Sequence, residues 1–222
     1  NNFYTYRFVF APETIGPIVY LSRHLEHLQK NTIAAFNLTC VGDDRAVSFL
    51  PSHKENSLTD RVARHVLKHH APDHLEYDYF QDRGSDERQY CSPNVDLPMV
   101  SIMRSKYGKY PEYHTSLDNL SLVSPGGLQK SLKLHQECIK LLEANRKYRS
   151  TIVGEPQLGR RNLITEFGGN RTRNFERRNI LVFLTCCDGK RDLIAIAEKA
   201  NIYAGEFLPT IQLLLENNLI ES

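Results

Sequence analysis

One histidine in this sequence stands where a metal ion could bind. His114 belongs to residues 113–118 (YHTSLD), which come soon after the apolar, strand-like segment of residues 97–102. In an open α/β sheet, ligands and metals bind at the loops that follow the carboxyl ends of the strands, and a neutral imidazole on such a loop is a good zinc ligand. His114 is therefore the first candidate metal ligand. The simpler alternative is one surface histidine among nine.

A glutamate near the start of the chain is the second candidate. Glu13 stands between a predicted strand, residues 3–10, and a predicted helix, residues 17–29. A carboxylate beside a metal-bound water can take up the proton of that water and pass it to a leaving amine. The alternative is structural, because a glutamate at a helix N-terminus is also stabilised by the helix dipole.

Three further segments carry a resemblance to a known group of proteins. They are residues 84–91 (GSDERQYC), 104–108 (RSKYG) and 111–115 (PEYHT). Together they resemble bacterial aminopeptidase-like proteins, which are related to the co-catalytic zinc aminopeptidases and carry a C-terminal winged-helix domain. The resemblance extends over nearly the whole chain and implies that the sequence is the C-terminal half of such a protein. The missing initiator methionine before Asn1 also favours a fragment.

The resemblance implies roles for both candidates. Glu13 becomes the general base and His114 a zinc ligand, whereas Thr14 and Thr39 stand where the relatives carry two metal-binding carboxylates. A threonine hydroxyl stays protonated and is a poor zinc ligand. One zinc ion is therefore expected rather than two, with its other ligands upstream of Asn1. If the alignment is shifted by one residue, Glu13 becomes a metal ligand instead of the base, and Asp43 or Asp44 could also reach the metal.

Three charged residues are predicted to support this site. By the resemblance, Asp86 lies in a turn beside the metal and orients the loop without binding the ion, and Asp118 fixes the loop that bears His114. Arg83 is a candidate to bind a carboxylate of the substrate. A surface turn with no role in binding is an equally good interpretation of Arg83.

The order of the predicted elements indicates the fold class. Strands alternate with helices, which is typical of an α/β fold, and the prediction is a three-layer sandwich around a mixed sheet, followed by a small winged helix-turn-helix domain. Strands are predicted at residues 3–10, 32–38, 46–50, 75–80 and 98–103, and helices at 17–29, at 57–70 and from 124 onward. The predicted domains are residues 1–150, a connector at 151–175 and the winged helix at 176–222.

Two helix faces are also predicted from the sequence. His65 and His69 are expected on a solvated face of the helix at 57–70, because the apolar residues of that helix lie on its other side. The helix that begins at residue 124 is expected to bury a stripe made of Leu128, Leu132, Ile139 and Leu142.

Composition excludes several classes of protein. A net charge of +2 gives no electrostatic footprint for nucleic acid or for an anionic membrane surface. No apolar run approaches the roughly 20 residues of a membrane-spanning helix. The five cysteines lack CxxC spacing, which favours reduced thiols and a cytoplasmic protein.

The C-terminal domain is not expected to bind DNA. Its predicted recognition helix, residues 204–216, is rich in leucine and carries no lysine or arginine, whereas a DNA-reading helix needs cations. Docking on the rest of the protein, or on a second copy in a homo-oligomer, is the preferred interpretation.

Two functions follow from these observations. The first is a zinc-dependent hydrolase that cleaves a small peptide or amide. The group's association with polysaccharide biosynthesis implies a modified amino acid or a sugar amide as its substrate. The second is a non-catalytic binding or regulatory protein that kept the fold, which Thr14 and Thr39 favour.

Overall fold

The chain consists of two compact units, Asn1–Ile139 and Lys140–Ser222. The computed structural model describes residues 2–161, 163 and 171–222. Part of the predicted connector, residue 162 and residues 164–170, lies outside the described residues. Each unit has its own sheet, and the candidate site belongs to the first.

A mixed four-stranded sheet forms the centre of the first unit, in the order β1-β4-β2-β3. Strand β4 pairs in parallel with β1 and antiparallel with β2, and β3 lies parallel to β2. Every residue of β4 is buried. A strand covered on both faces is nearly all apolar rather than alternating, as the sequence Met-Val-Ser-Ile-Met is. The strands are β1 (Ala35–Asn37), β2 (Ser48–Leu50), β3 (Leu75–Glu76) and β4 (Met99–Met103).

Helices cover both faces of this sheet. The helices are α1 (Ile15–Asn31), α2 (Leu58–His70), α3 (Tyr79–Asp82), α4 (Glu87–Tyr90) and α5 (Pro125–Ala144). On one face, Leu21 of α1 packs in a cluster with Met99 of β4. On the other face, the ring of Phe36 in β1 lies 5.7 Å from that of His135 in α5. Successive residues of a strand point to opposite faces, so the layers lie on opposite sides, and the predicted α/β fold with a mixed sheet is confirmed.

Helix α2 begins where the local sequence predicts. Its N-cap is Ser57, whose hydroxyl accepts a hydrogen bond from the Asp60 N–H, while the Asp60 carboxylate accepts one from the Ser57 N–H at 2.8 Å. The same buried carboxylate accepts bonds from the N–H and the hydroxyl of Ser52, at 2.7 and 2.6 Å. A capping box of this kind stabilises the first turn by about 1 kcal/mol and here also fixes the preceding loop.

Helix α5 approaches the loop after β1 very closely. Ser124 caps the helix by accepting a hydrogen bond from the Gly127 N–H at 2.9 Å. A Cβ atom at Gly127 would overlap the carbonyl oxygens of Gly42 and Asp43, so only glycine fits. The Ser131 hydroxyl adds a bond to the Val41 carbonyl at 2.8 Å. Helix α5 therefore fixes the backbone of a loop that belongs to the candidate site.

Two predicted strands are wrong in whole or in part. Residues 3–10 form no strand in the described chain, and Phe8 and Phe10 are 75% and 95% exposed. Alternating aromatics form a strand only where another strand pairs with them, and no described strand does. The predicted strand at 75–80 ends at Glu76, because the Asp78 carboxylate accepts a bond from the Gln81 N–H at 3.0 Å and caps α3.

The predicted helix faces also need correction. In α5, Leu142 is buried as predicted, but Leu128 and Leu132 are 47% and 58% exposed. In the first half of the helix the buried stripe runs along another face and includes polar residues that bond to backbone. Its members within the first unit are Ser131, Leu134, His135 and Cys138. His65 is buried rather than solvated.

In its described residues, the second unit has three α-helices after the end of α5 and a small antiparallel sheet of order β6-β5-β7. The ring of Phe183 lies 5.5 Å from that of Tyr148 and 5.3 Å from that of Phe207, at the centre of the core. No helix in the described residues is long and apolar enough to cross a membrane. The elements are α6 (Arg171–Cys186), α7 (Leu193–Ala200), α8 (Leu208–Glu216), β5 (Lys147–Ser150), β6 (Asp188–Asp192) and β7 (Ile220–Glu221).

Candidate functional site

The candidate site lies at the carboxyl edge of the parallel pair β1 and β4. The loops that leave these two strands run side by side, since the N–H and the hydroxyl of Ser105 each donate to the Asp43 carboxylate at 2.8 Å. Further along, the guanidinium of Arg45 donates two bonds to the Glu112 carboxylate, at 2.9 and 3.0 Å. These bonds fasten the loop that carries His114 to the loop that follows β1.

Glu13 reaches the same edge from the start of α1. Its side chain is exposed and accepts a hydrogen bond from the Ser85 hydroxyl at 3.0 Å. Burial, followed by the negative charge of Glu13, raises the pKa of the Tyr113 phenol. Because a charge acts only over a short range in this way, Glu13 lies near the loop of residues 113–118. Glu13, which precedes His114 by 101 positions in sequence (114 − 13), thus lies close enough to this loop for its charge to act on Tyr113.

His114 is presented to solvent on a strained backbone. Its side chain is exposed and its φ angle is 58°, in the left-handed region. The imidazole stacks on the ring of Tyr113, with the centroids 3.9 Å apart. Among the described residues no hydrogen bond to the imidazole is found, so its nitrogens can accept a proton or bind a metal ion.

Asp86 supports the Glu13 segment. Its carboxylate accepts a hydrogen bond from the Thr14 N–H at 2.8 Å. Burial raises the pKa of the Asp86 carboxyl, and the charges of Glu13 and Glu87 raise it further. Asp86 thus holds the backbone next to Glu13, and its orienting role at a metal site stays a prediction.

Asp118 and Arg83 lie in different surroundings. The Tyr110 hydroxyl donates to Asp118 at 3.3 Å and lies 3.7 Å from the Cys40 sulfur, so Asp118 is linked to the loop after β1. The guanidinium of Arg83 donates to the Phe80 carbonyl at 2.5 Å. Neither contact involves Glu13, and substrate binding by Arg83 stays a prediction.

The described residues do not by themselves form a zinc site. No group of three or more histidine, cysteine, aspartate or glutamate side chains in the described part of the chain could hold a metal ion. The Thr14 hydroxyl accepts a bond from Arg88 at 2.8 Å, and that of Thr39 donates to the sulfur of Cys40 at 3.7 Å. Burial raises the pKa of Cys40, so its thiol stays protonated and is also a poor ligand.

Sequence reasoning missed the most connected residue of the site, Glu87. Its carboxylate is fully buried and accepts hydrogen bonds from the Tyr107 hydroxyl at 2.8 Å and from the Asn37 amide at 3.0 Å. The sequence offered only its place in the segment GSDERQYC, because a glutamate in a polar loop gives no local sign of burial. Ser85, which is also buried, was missed for the same reason, and Arg88 and Tyr113 were missed because their partners lie far away in sequence.

Comparisons with known proteins agree with this fold. The chain is 38% identical over 218 residues to a Clostridium acetobutylicum protein named "Putative polysaccharide biosynthesis protein with aminopeptidase-like domain", covering 95% of this chain and 50% of that one. It superposes on a crystal structure named as a putative peptidase from the same organism with a TM-score of 0.87 and 35% identity, covering 99% of this chain and 49% of the other. An aminopeptidase from Aneurinibacillus sp. strain AM-1 matches at a TM-score of 0.47 and 18% identity, over 58% of this chain and 30% of that one.

The chain is thus an α/β unit of the aminopeptidase-like class followed by a winged-helix unit. Residues 146–222 match the family model described as winged helix-turn-helix. Residues 1–145 match the model described as "Domain of unknown function (DUF4910)", and the chain belongs to that family. The resemblance found in the sequence is confirmed. The chain spans about half the length of the relatives it matches.

The boundary between the two family models differs from the predicted domain boundary at residue 150. The models meet at residues 145 and 146, and the compact units divide within α5, at residues 139 and 140. Strand β5 pairs with β6 and β7 of the second unit. Pairing of this kind joins residues far apart in sequence, so local pattern does not reveal it.

Proposed function

We propose that the full-length protein is a hydrolase of amide or peptide bonds, in which Glu13 transfers a proton and His114 contributes an imidazole to a metal site. The main support is geometric, since the Ser85 hydroxyl orients the exposed carboxylate of Glu13 and the imidazole of His114 stacks on Tyr113. After burial, which is the larger cause, the charge of Glu13 raises the pKa of that tyrosine. Membership of a family whose relatives are named as peptidases or aminopeptidase-like adds to it.

The chain's own residues suit the proton transfer. Glu13 is exposed, so its carboxylate is accessible to water and to a leaving amine. The Ser85 hydroxyl holds one carboxylate oxygen at 3.0 Å, and the second has no protein partner in the described chain. A carboxylate that is oriented at one oxygen and open at the other is suited to general base catalysis.

A single zinc ion is the proposed cofactor of the full-length protein. Thr14 and Thr39 supply hydroxyls where a two-zinc site would need carboxylates, so the described residues do not support a second ion. The name of the Clostridium relative mentions polysaccharide biosynthesis, and a small amide of a sugar or amino acid is therefore the substrate class to test first.

The test uses Glu13→Gln and His114→Ala in the full-length protein, with metal analysis and hydrolysis of small amide substrates. We expect Glu13→Gln to keep the metal and to lose turnover, and His114→Ala to lose both. Matched controls are Glu26→Gln and His24→Ala, both exposed on α1. Loss of metal in Glu13→Gln would make Glu13 a ligand, and unchanged metal content in His114→Ala would refute its assignment.

A second candidate is a non-catalytic binding or regulatory protein that kept the aminopeptidase-like fold, with the winged helix as a docking module. The hydroxyls of Thr14 and Thr39 favour this alternative, since both are engaged in protein contacts rather than open to a metal. If this second candidate is right, the full-length protein should not bind zinc in a fixed ratio and should hydrolyse none of the small amide substrates.

A further inference from the structure

The backbone that carries Glu13 is strained at the next residue. Thr14 has φ 65° and ψ −60°, and the Ile15 N–H donates to the Glu13 carbonyl at 2.7 Å. These values describe a γ-turn of the rare, strained type. A β-branched residue with a positive φ angle is an outlier, and such strain persists only where the surrounding structure imposes it.

One short segment, residues 85–88, supplies the groups that could impose this turn. Within it, the Asp86 carboxylate accepts from the Thr14 N–H at 2.8 Å, and the Arg88 guanidinium donates to the Thr14 hydroxyl, also at 2.8 Å. The Ser85 hydroxyl donates to Glu13 at 3.0 Å. The two bonds to Thr14 therefore hold the turn, and the bond from Ser85 orients the carboxylate of Glu13, the residue before it.

The same segment is anchored in the core by Glu87. Its Oε1 atom accepts hydrogen bonds from the N–H groups of Gly84 and Ser85, at 2.8 and 3.0 Å, and from the Tyr107 hydroxyl at 2.8 Å. Because Glu87 is fully buried and Ser85 is 5% exposed, residues 85–88 have little freedom to follow Thr14 if it relaxes.

We infer that residues 85–88 form a clamp that holds Thr14 in its γ-turn and thereby aims the carboxylate of Glu13 across the site. Ser85, Asp86 and Arg88 are positioning residues, since they act through the turn and the carboxylate. The catalytic purpose of the clamp rests on the proposed function, because that function makes Glu13 the proton-transferring group. The clamp itself is a property of the described chain.

Amide hydrogen exchange of Thr14, followed by NMR on the 222-residue chain, tests the clamp without any assay of activity. Asp86→Ala removes the acceptor of the Thr14 N–H, and Asp86→Asn keeps an acceptor oxygen in the same place. We expect exchange at Thr14 to accelerate at least about tenfold in Asp86→Ala and to stay within about threefold of wild type in Asp86→Asn. Equal exchange in wild type and Asp86→Ala would overturn the clamp.

Hydrolysis by the full-length protein then tests what the clamp is for. We expect Asp86→Ala to lower kcat at least about tenfold with little change in KM, and Asp86→Asn to retain most of kcat. Glycine adopts a positive φ without strain, so Asp86→Ala should lower kcat less in a Thr14→Gly background than in the wild type. A purely structural role would give no such rescue.

The two proposals fail in different ways. A full-length wild type that hydrolyses no amide would refute the proposed function and the catalytic purpose of the clamp, while the exchange result would still decide whether the clamp exists. An active enzyme whose kcat is the same in wild type and Asp86→Ala would refute the positioning role and leave the proposed function intact.

Discussion

Replacement of the buried glutamate, Glu87→Ala, should be among the most destabilising changes in the first unit. The carboxylate is fully buried, and no lysine, arginine or histidine is found paired with it in the described chain. Five hydrogen bonds hold the side chain, and the buried Lys106 ammonium is close enough to interact with it by charge. The donors are the N–H groups of Gly84 and Ser85, the Tyr107 and Ser101 hydroxyls and the Asn37 amide.

The expected loss can be worked out from these bonds. A hydrogen bond to a charged group contributes about 1.5–3 kcal/mol, and a buried donor left without an acceptor costs about 1–3 kcal/mol. The two N–H groups of Gly84 and Ser85 lose their acceptor in Glu87→Ala. Since such terms are not additive, we expect a loss of about 3–5 kcal/mol in the free energy of unfolding. Glu87→Gln keeps one acceptor oxygen and should cost about 1–2 kcal/mol.

Urea unfolding of the chain measures this loss. The protein has eleven tyrosines and no tryptophan, so tyrosine fluorescence and far-UV circular dichroism are the signals, and two transitions are expected from two units. The matched control is Glu76→Ala. Glu76 forms a partly exposed ion pair with Arg64 at 2.7 Å. Glu76→Ala should therefore lower the free energy of unfolding by less than about 1 kcal/mol. If Glu87→Ala costs no more than this control, the hydrogen-bond argument is wrong.

Three other outcomes are expected. Burial lowers the pKa of His135, so near its ordinary pKa the unfolded chain binds more protons than the folded chain. The free energy of unfolding should therefore fall as pH falls below about 6.5. Urea titrations over this range should show a weaker pH dependence in His135→Leu. Burial raises the pKa of Cys91 to about 11, so its thiol should react with a thiol reagent at pH 8 much more slowly in the native protein than in urea, and equal rates would contradict this. Helix α8 carries no lysine or arginine, so a gel-shift at physiological salt should show no binding tighter than the nonspecific level of about 10⁻⁴–10⁻⁶ M.

Several features of this protein were fixed by short stretches of sequence. Ser57 and Asp60 stand three residues apart and mark the start of α2, which the capping box confirms. The apolar run that became β4 was recognisable because a strand buried on both faces needs no polar residues. The segments GSDERQYC and PEYHT were sufficient for the family resemblance, which the comparisons confirm.

Other features depended on partners that local sequence does not specify. The aromatic alternation of residues 3–10 predicted a strand, but a strand requires a neighbour, and none pairs with it in the described chain. In α5 the leucine pattern was right at Leu142 and wrong at Leu128 and Leu132. Ser131 and His135 are buried instead, with bonds to backbone carbonyls. Polar residues that are satisfied in this way do not look buried in a sequence.

The candidate site also combines features that short stretches of sequence predict with features that depend on distant partners. The sequence predicted Glu13, Asp86 and His114 as candidates by residue type and by resemblance, both of which depend on a few adjacent positions, and their roles stay predictions. The strained turn at Thr14 and the buried carboxylate of Glu87 came only from the tertiary structure. Caps and periodicity act within a few residues of the chain, whereas burial and the bonds that hold the Glu13 segment join residues more than seventy positions apart.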